Sequence, residues 1–430
     1  MTVPSAPSLW AATAAPAPDF PPLQGETVAD VAVIGGGYSG LSAAYHLALD
    51  GARPIVLEAN AIGWGASGRN GGVVSAKYRL SYPAIAAAHG TGVARRMHAL
   101  AHEAVDVVAA LIDAFGIAGA AFSRCGHIRA AHNPAALDAA AAEAAWLRRE
   151  LNDTSVAVLS HAQLREETGS DGFVGGVLSR GAGGLHPLNY VRGLATGLAR
   201  RGIAIHAATP ATGIRRDGAG VTVTTPAGSV RARQVVIATN AYSDITPATR
   251  TLAHRLVPFR SAIIATAPLS PNLRGAVMPG GRICAETRRM MRWFRVVDDR
   301  MVFGGRGAFG RRDSAAAFTL LHRAMLGLFP VLGDTPVAFR WSGLVGMTMD
   351  KVPHVGRLDD RTLFAMGYNG AGVALASLAG RYIAAIMRGE RPDLGLLDAA
   401  RFRPVPLPAL RVPAVRMAAG WFQFLDAIGR

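Results

Sequence analysis

The residues with the clearest chemical use are three glycines and a carboxylate near the N-terminus. Gly35, Gly37 and Gly40 lie in "GGGYSG" with the G-x-G-x-x-G spacing, and Glu58 ends the next predicted strand. In such a turn the first glycine permits the bend, the second lets a pyrophosphate reach the backbone, and the third lets the helix pack on the strand. The helix N-terminus then attracts the phosphates, and the carboxylate accepts the ribose hydroxyls. This pattern predicts a dinucleotide site; the alternative is a tight turn that binds nothing.

A second glycine cluster, residues 63–72, follows soon afterwards as "GWGASGRNGG". Glu58 disfavours NADP, because it would repel the 2′-phosphate, so NAD and FAD remain. An NAD site needs no second cluster, whereas the flavin end of FAD must be held far from the adenosine. Ser67 and Asn70 are predicted to supply hydrogen bonds there, and Arg69 to pair with a phosphate. The cluster therefore favours FAD; the alternatives are an NAD-type dehydrogenase and a mobile glycine loop.

Several longer stretches carry a resemblance to a known family. The sequence resembles the D-amino-acid-oxidase-like family of FAD-dependent oxidoreductases, and within it the gamma-glutamylputrescine oxidoreductase group. The likeness runs from about residue 8 to the end of the chain. It is carried by "DVAVIGGGYSGLSAAYHLA", "VLEANAIGWGASGRNGG", "GGLHPLNYVRGLA", "VVIATNAY", "WSGLVGMTMDKVPHVGRL" and "GYNGAGVALASLAGRYIA".

The resemblance implies an α/β fold with a Rossmann-type FAD-binding domain. An inserted α+β substrate domain, with a mainly antiparallel sheet, would lie over the flavin. The residues that the resemblance places in contact with FAD are Gly35, Gly37, Tyr38, Ser39, Gly40, Glu58, Ala59, Ser67, Arg69, Asn70, Gly71, Gly72, Ala211, Gly343, Gly370, Gly372 and Val373.

A third glycine turn, "GYNGAGV", opens the last predicted helix. Gly370 and Gly372 would let its free N–H groups face the flavin N1–C2=O edge, and a helix N-terminus stabilises negative charge there by about 1 kcal/mol. Many relatives have His where this chain has Ala371, so no cationic side chain is available at that position. Covalent attachment uses a Cys or a His, and neither is near 371 or within 63–72, which predicts non-covalent FAD.

The implied reaction moves hydride from a carbon beside an amine nitrogen to flavin N5, and the imine is then hydrolysed. The expected substrate is an amine or amino acid, neutral at nitrogen in a desolvated pocket. The candidate catalytic residues are His186, Arg292, Tyr368 and Asn369, and no metal site is expected.

The same residues have structural alternatives. His186 either contacts substrate or fixes the turn before Pro187. Arg289 or Arg292 either clamps a substrate carboxylate or lies on a solvated strand face. Five aromatic residues are predicted to line the pocket or to pack in the core: Tyr242, Trp293, Phe294, Trp341 and Tyr368.

The electron acceptor is open, either oxygen or a quinone or carrier. Oxidases of the family often place a lysine over the flavin. Lys77 and Lys351 are the only lysines, and neither falls in the expected substrate-domain strand. An arginine within 288–295 is the predicted substitute.

Composition excludes several other classes. Half of the 430 residues are hydrophobic, which suits two domains. The net charge of +16 would suit nucleic acid, but the arginines are scattered and form no basic tail, so no nucleic-acid partner is expected. Two cysteines outside any CxxC pair predict no disulfide and a cytoplasmic location.

Neither terminus has a clear targeting pattern. The Pro- and Ala-rich N-terminus lacks a basic region and a long apolar core, which predicts an extended arm. No apolar run reaches the roughly 18 residues of a membrane span. The apolar stretch "AAGWFQFL" near the C-terminus is predicted as a packed helix, with membrane contact as the less favoured alternative.

The elements that must position these residues follow from periodicity. The predicted elements are strands at Val31–Ile34, Ile55–Leu57, Ile128–Ala131 and Val235–Thr239, helices at 92–115, 134–150 and 314–329, a helix capped by Asn189, a small meander within 211–239, an antiparallel sheet over 254–306, and a final strand–turn–helix unit. The predicted organisation is an arm at 1–28, an FAD-binding domain at 29–80, 180–245 and 340–400, a substrate domain at 81–179 and 246–339, and a tail at 401–430.

Overall fold

The computed structural model describes residues 7–218, 220–308 and 314–407, together with 410, 413, 414, 417, 420, 421, 424 and 425. The α-helices within residues 7–407 are α1 Leu9–Thr13, α2 Tyr38–Leu49, α3 Tyr82–His89, α4 Thr91–Phe115, α5 Pro134–Leu151, α6 His161–Thr168, α7 Pro187–Arg200, α8 Arg250–Ala253, α9 Pro271–Ala276, α10 Ala315–Leu328 and α11 Gly372–Met387.

The strands in the same residues are β1 Gly25–Val28, β2 Val31–Ile34, β3 Pro54–Leu57, β4 Val73–Val74, β5 His127–Ala131, β6 Val156–Ser160, β7 Gly175–Ser179, β8 Gly183–Gly184, β9 Ala204–His206, β10 Gly213–Asp217, β11 Gly220–Thr224, β12 Gly228–Ala232, β13 Gln234–Ile237, β14 Val257–Thr266, β15 Ile283–Glu286, β16 Arg292–Val297, β17 Arg300–Ala308, β18 Val337–Met347, β19 His354–Arg357 and β20 Thr362–Met366.

One half of the molecule is built on a six-stranded sheet, ordered β19-β20-β13-β2-β3-β9. The strands from β20 to β9 are parallel, and β19 is antiparallel to β20. β2 and β3 are buried along their length, as the β-branched sequence of β2 predicted. Because parallel strands end at one edge, the turns after β2, β3, β13 and β20 meet there.

An eight-stranded sheet, ordered β18-β14-β17-β16-β15-β5-β7-β6, faces that edge. The β15–β5 pair is parallel and the other neighbouring pairs are antiparallel, which confirms the mainly antiparallel sheet. Of its last three strands, the sequence pattern predicted only β5. Strands β6 and β7 are short and Gly-rich or half-exposed, so their pattern was weak.

The meander predicted within 211–239 is present as β10, β11 and β12. It gains a fourth strand, because β1 pairs in parallel with β12. The predicted extended arm is therefore wrong for this region. It holds the strand β1 and the helix α1, whose Leu9 and Trp10 side chains are fully buried.

One other sequence prediction needs correction, and one open alternative is decided. Helix α7 is capped by His186 and not by Asn189, since the Asn189 N–H donates to His186 Nδ1 at 3.1 Å. Phe294 lies in the core between the eight-stranded sheet and α10, where its ring stacks on Phe303 at 5.5 Å, as the core alternative has it.

The apolar C-terminal stretch lies partly outside the described residues. Met417, Trp421 and Phe424 are described, and their side chains are exposed. Of the helices that the structure describes, none combines the length and the apolar character that crossing a membrane requires.

Replacing Phe294 with Ala tests its place in the core. We expect Phe294→Ala to lower the free energy of unfolding by about 3–5 kcal/mol, because a cavity replaces the buried ring. The control, Phe424→Ala, removes an exposed ring and should change it by about 0.5 kcal/mol or less. Denaturant unfolding measures both. An unchanged stability for Phe294→Ala would place the ring outside the core.

Candidate functional site

A cavity of about 770 Å³ lies between the edge of the six-stranded sheet and the face of the eight-stranded sheet. Of the predicted cofactor residues, Gly40 and Gly72 lie behind its wall. The predicted cofactor residues that line it are Gly35, Gly37, Tyr38, Ser39, Glu58, Ala59, Ser67, Arg69, Asn70, Gly71, Ala211, Gly343, Gly370, Gly372 and Val373.

The first glycine turn joins β2 to α2 at one end of the cavity. Gly35 has φ +112°, a conformation that only glycine adopts readily. A Cβ on Gly40 would lie 1.9 Å from the Gly35 carbonyl oxygen, so the helix can pack this closely only without a side chain. Gly37 caps α2 with no side-chain hydrogen bond, and the helix N-terminus opens into the cavity. This geometry fits a bound phosphate.

Glu58 follows β3 beside this turn. Its Oε2 accepts the Gly36 N–H at 2.8 Å, and its Oε1 accepts the Asn60 N–H at 2.9 Å. Burial raises the pKa of Glu58, and the backbone donors oppose that shift. Each oxygen keeps capacity for one more donor, as a pair of ribose hydroxyls requires.

The glycine segment 63–72 is tied to the first turn by its polar side chains. Ser67 Oγ accepts the Tyr38 N–H at 3.1 Å, and the Tyr38 hydroxyl donates to the Ser67 carbonyl at 2.6 Å. Asn70 Nδ2 donates to the Ala66 and Ser67 carbonyls, and its Oδ1 accepts the Gly72 N–H at 2.7 Å. Ser67 and Asn70 thus hold the segment in shape, whereas the sequence pattern predicted hydrogen bonds from them to the cofactor.

Two indoles support the segment from behind. Trp10 Nε1 donates to the Asn70 carbonyl at 2.8 Å, and Trp341 Nε1 donates to the Arg69 carbonyl at 3.0 Å. Arg69 Nε donates to the Ser342 carbonyl at 2.6 Å, so its guanidinium lies against β18. Trp341 is fully buried and belongs to this support, so of its two alternatives the structure favours packing in the core.

A second helix N-terminus, that of α11, opens into the same cavity. Asn369 has φ 55° and Gly370 has φ +96°, and Ala371 caps the helix without a side-chain hydrogen bond. The first N–H groups of α11 therefore have no acceptor within the helix. Asn369 lines the cavity, and its Oδ1 accepts the Thr348 N–H at 2.9 Å, so its side-chain amide is used to fix the turn.

Tyr368 links the two helix N-termini. Its hydroxyl lies 2.6 Å from Ser39 Oγ in the first turn of α2. Burial raises the pKa of Tyr368 far above its ordinary value, so the phenol stays protonated at any physiological pH. Tyr368 lines the cavity through its ring, and its hydroxyl is used by the protein.

His186 is not among the cavity-lining residues. Besides capping α7, its Nε2 donates to Thr13 Oγ1 at 3.1 Å, and its ring packs edge-on against Trp10. Burial lowers the pKa of His186 to about 4, so the imidazole is neutral near pH 7. Its position supports the structural alternative, in which His186 fixes the turn before Pro187.

Arg292 is also placed away from the cavity wall. Its guanidinium forms a bidentate ion pair with the fully buried Glu286 carboxylate, with Nη2 2.8 Å from Oε2. Arg288 Nη1 shares that carboxylate at 3.1 Å. Arg292 is therefore committed to Glu286 and unsuited to clamp a substrate, whereas Arg289 lines the cavity.

Of the five aromatic residues considered from the sequence, Tyr242 and Trp293 line the cavity together with Tyr368. A Cβ on Gly71 would lie 2.4 Å from the Trp293 ring, and a Cβ on Gly304 would lie 2.2 Å from it. The indole thus fits between the glycine segment and β17, directly beside the predicted flavin position.

Lys77, His127 and Arg129 line the far end of the cavity. Lys77 was not predicted as a site residue, because its position lies outside the expected strand. Its position in the sequence, shortly after the glycine segment, was the feature that could have indicated a place in the cavity.

One group outside the cavity has the geometry of a metal site. The ligand atoms of His98, His102 and Asp153 lie within 4.8 Å of one another. His98 Nε2 is 3.0 Å from Asp153 Oδ2, and this contact lowers the pKa of Asp153. The hydrogen bond between His98 and Asp153 accounts for the arrangement, so we assign no metal to it.

Comparison with known proteins is consistent with this site. The family model described as "DAO: FAD dependent oxidoreductase" matches residues 30–386. Gamma-glutamylputrescine oxidoreductase from Escherichia coli (strain K12) is 32% identical over 429 residues, 98% of each chain. The probable oxidoreductase OrdL from Haemophilus influenzae is 30% identical over 417 residues, 95% of this chain and 94% of that protein. Glycine oxidase from Geobacillus kaustophilus has the same fold, with TM-score 0.71 and 21% identity over 88% of this chain and 99% of that one.

Asn70→Ala tests the support of the glycine segment. We expect FAD to bind about tenfold or more weakly, because the segment loses several hydrogen bonds worth about 1 kcal/mol each. Ser160→Ala is the control, since it removes the cap of α6 at a similar cost in stability but away from the cavity. Fluorescence titration of flavin-free protein measures both affinities. Equal affinities in the two variants would show that Asn70 does not support the cofactor site.

Proposed function

The chain belongs to the DAO family of FAD-dependent oxidoreductases, and we propose that it binds FAD without a covalent bond and oxidises a C–N bond of an amine or amino acid. The observation that carries this proposal is the continuity of the cavity. It joins Glu58 and the N-terminus of α2 to the glycine segment 63–72 and the N-terminus of α11.

The residues present fit the cofactor. Two helix N-termini without side-chain caps point into one cavity, and Glu58 has free acceptor capacity at one end. Any side chain at position 71 would collide with the wall, since a Cβ on Gly71 would lie 2.4 Å from the Trp293 ring. We infer that Glu58 holds the ribose, α2 the pyrophosphate, and the glycine segment with α11 the ring system.

FAD, when bound, supplies the acceptor for a hydride from the carbon beside the substrate nitrogen. The chain's own contribution is to bind the amine, exclude water and aim the C–H bond. The walls formed by Tyr242 and Trp293 desolvate the amine and so favour its neutral form, which can release hydride. The imine that leaves is hydrolysed to a carbonyl compound and an amine.

Helix α11 supplies the electrostatic part of the site. The N–H groups of Gly372 and Val373 lie at the positive end of a helix of 16 residues, and Ala371 adds no charge. The helix end alone would stabilise negative charge on the reduced ring, by about 1 kcal/mol.

The substrate type that we propose is an amine like that in the name of the Escherichia coli relative, gamma-glutamylputrescine. An NAD-type dehydrogenase, the main alternative, would use only the first glycine turn. It leaves the glycine segment and the α11 N-terminus in the cavity without a role. We propose oxygen or another carrier as electron acceptor.

Anaerobic reduction tests the proposed reaction. We expect purified protein to be yellow, and its visible flavin absorbance to bleach with amines and not with NADH. The rate should rise with pH until the bound amine is neutral, because the protonated amine cannot release hydride. Bleaching by hydroxy acids alone would contradict C–N oxidation.

Acid precipitation tests the mode of attachment. We expect the flavin to remain in the supernatant, because no Cys or His lies within the glycine segment or beside Ala371. Absorbance of the pellet and the supernatant shows how much flavin each contains. Flavin that stays with the precipitated protein would show a covalent bond.

A further inference from the structure

The far end of the cavity carries an unusual concentration of cationic side chains. Lys77 and Arg79 come from the segment after β4, and Arg129 comes from β5, where the neutral His127 lies two residues earlier. Arg288 and Arg289 line the same cavity. The reaction proposed above, which needs a neutral amine, gives these charges no task.

The nearby carboxylates are already neutralised. Glu143 Oε2 lies 2.7 Å from Arg129 Nη1. Glu286 is shared by Arg288 and Arg292. Among the described residues no carboxylate is within 4.0 Å of Lys77 Nζ, whose hydrogen bond goes to His127 Nε2 at 3.4 Å. The end of the cavity therefore has an excess of positive charge.

Lys77 is held as a donor without a counter-ion. Burial, followed by Arg129 and Arg79, lowers the pKa of Lys77 to about 8. Burial, followed by Lys77, lowers the pKa of His127 well below its usual value, so its Nε2 is free to accept from the ammonium. One of the three ammonium N–H bonds is used in this way, and two remain for a ligand. An anion would compensate this desolvated charge.

The register of the sheet gives the distance of this group from the flavin side. Trp293 pairs with Ala285, and Ala285 pairs with Arg129, so the three lie in one row across β16, β15 and β5. Two strand spacings amount to about 10 Å. His127 is two residues before Arg129 and shares its face. An anionic group of a substrate bound at Lys77 and His127 would therefore be separated by several covalent bonds from a substrate carbon that reacts beside Trp293.

We propose that Lys77, oriented by His127, binds a carboxylate of the substrate, so that the preferred substrates are amines with a carboxylate at the far end of the chain. This proposal rests on the proposed amine oxidation for the identity of the other end of the substrate. It makes Lys77 a specificity residue that acts on binding and not on the C–H bond.

Paired substrates test it on the FAD-loaded protein. The probes are 5-aminopentanoate, 6-aminohexanoate and 8-aminooctanoate, each with its carboxamide, which has the same amine and no charge at the far end. Calorimetry gives affinity, and anaerobic stopped-flow gives the limiting rate of flavin reduction. We expect at least one carboxylate to bind about 10- to 100-fold more tightly than its amide, with similar limiting rates.

Variants assign the effect to Lys77. Lys77→Met should abolish the preference for the carboxylate and leave amide binding unchanged, and Lys77→Arg should retain part of the preference. Lys351→Met is the control, because Lys351 is exposed and the only other lysine. Two results would overturn the proposal while amine oxidation stands. One is that none of the three pairs shows a preference for the carboxylate. The other is that Lys77→Met lowers the limiting rate equally for the carboxylate and the amide.

The opposite failure is also distinguishable. If no probe reduces the flavin but the carboxylates bind preferentially and Lys77→Met removes that binding, the anion site stands and the proposed oxidation is wrong.

The preference should depend on pH with a definite sign. It should be present below pH 8 and fall as the pH rises through about 8, because Lys77 then loses its proton. The groups that face Lys77 are His127 and Arg129 on β5, Arg79 on its own segment, Cys284 on β15 and Glu143 on α5. The pKa of His127 is lowered and that of Cys284 is raised, so neither changes charge between pH 7 and 9. A preference that grows with pH would contradict Lys77 as the anion-binding group.

Discussion

A backbone that must touch a ligand can carry few side chains, so it has to be held in place from behind. Residues 63–72 obey this constraint, and the rest of the site depends on it. Asn70 and Ser67 close the segment with hydrogen bonds, and Trp10 and Trp341 fix two of its carbonyls. The supports come from α1, β18 and the first glycine turn, so distant parts of the chain meet at one segment.

The same arrangement sets the electrostatics of the cavity. The N-termini of α2 and α11 open into it, and Tyr368 joins them through Ser39. Neither N-cap residue offers a side-chain acceptor, and Ser67 Oγ takes only the Tyr38 N–H of α2, so other first-turn N–H groups are available to an anionic ligand. The cationic end around Lys77 lies beyond this pair, across the sheet from Trp293. Charge in the cavity is thus divided between backbone donors at the proposed cofactor end and side chains at the proposed substrate end.

Local patterns predicted the parts of the fold that depend on local chemistry. The run Val31–Ile34, the three-glycine turn and the final strand–turn–helix unit each signal their structure within a few residues, and the family likeness is confirmed. Ion pairs and buried supports depend on residues far apart in sequence. Glu286 forms an ion pair with Arg292, and Trp10 packs the predicted arm against the core. Neither contact can be predicted from the spacing of residues in the sequence. Lys77 was missed for the same reason, since β5 brings His127 to it from fifty residues away.

We propose that the first glycine turn and the segment 63–72 bind opposite ends of one FAD molecule. A crystal structure of the protein with FAD tests this arrangement. We expect one FAD per chain, with the ribose on Glu58, the pyrophosphate at the N-terminus of α2, and the ring between the glycine segment and the N-terminus of α11. A ring system bound outside the space between Gly71 and Gly370, or electron density for a nucleotide at the first turn alone, would contradict it.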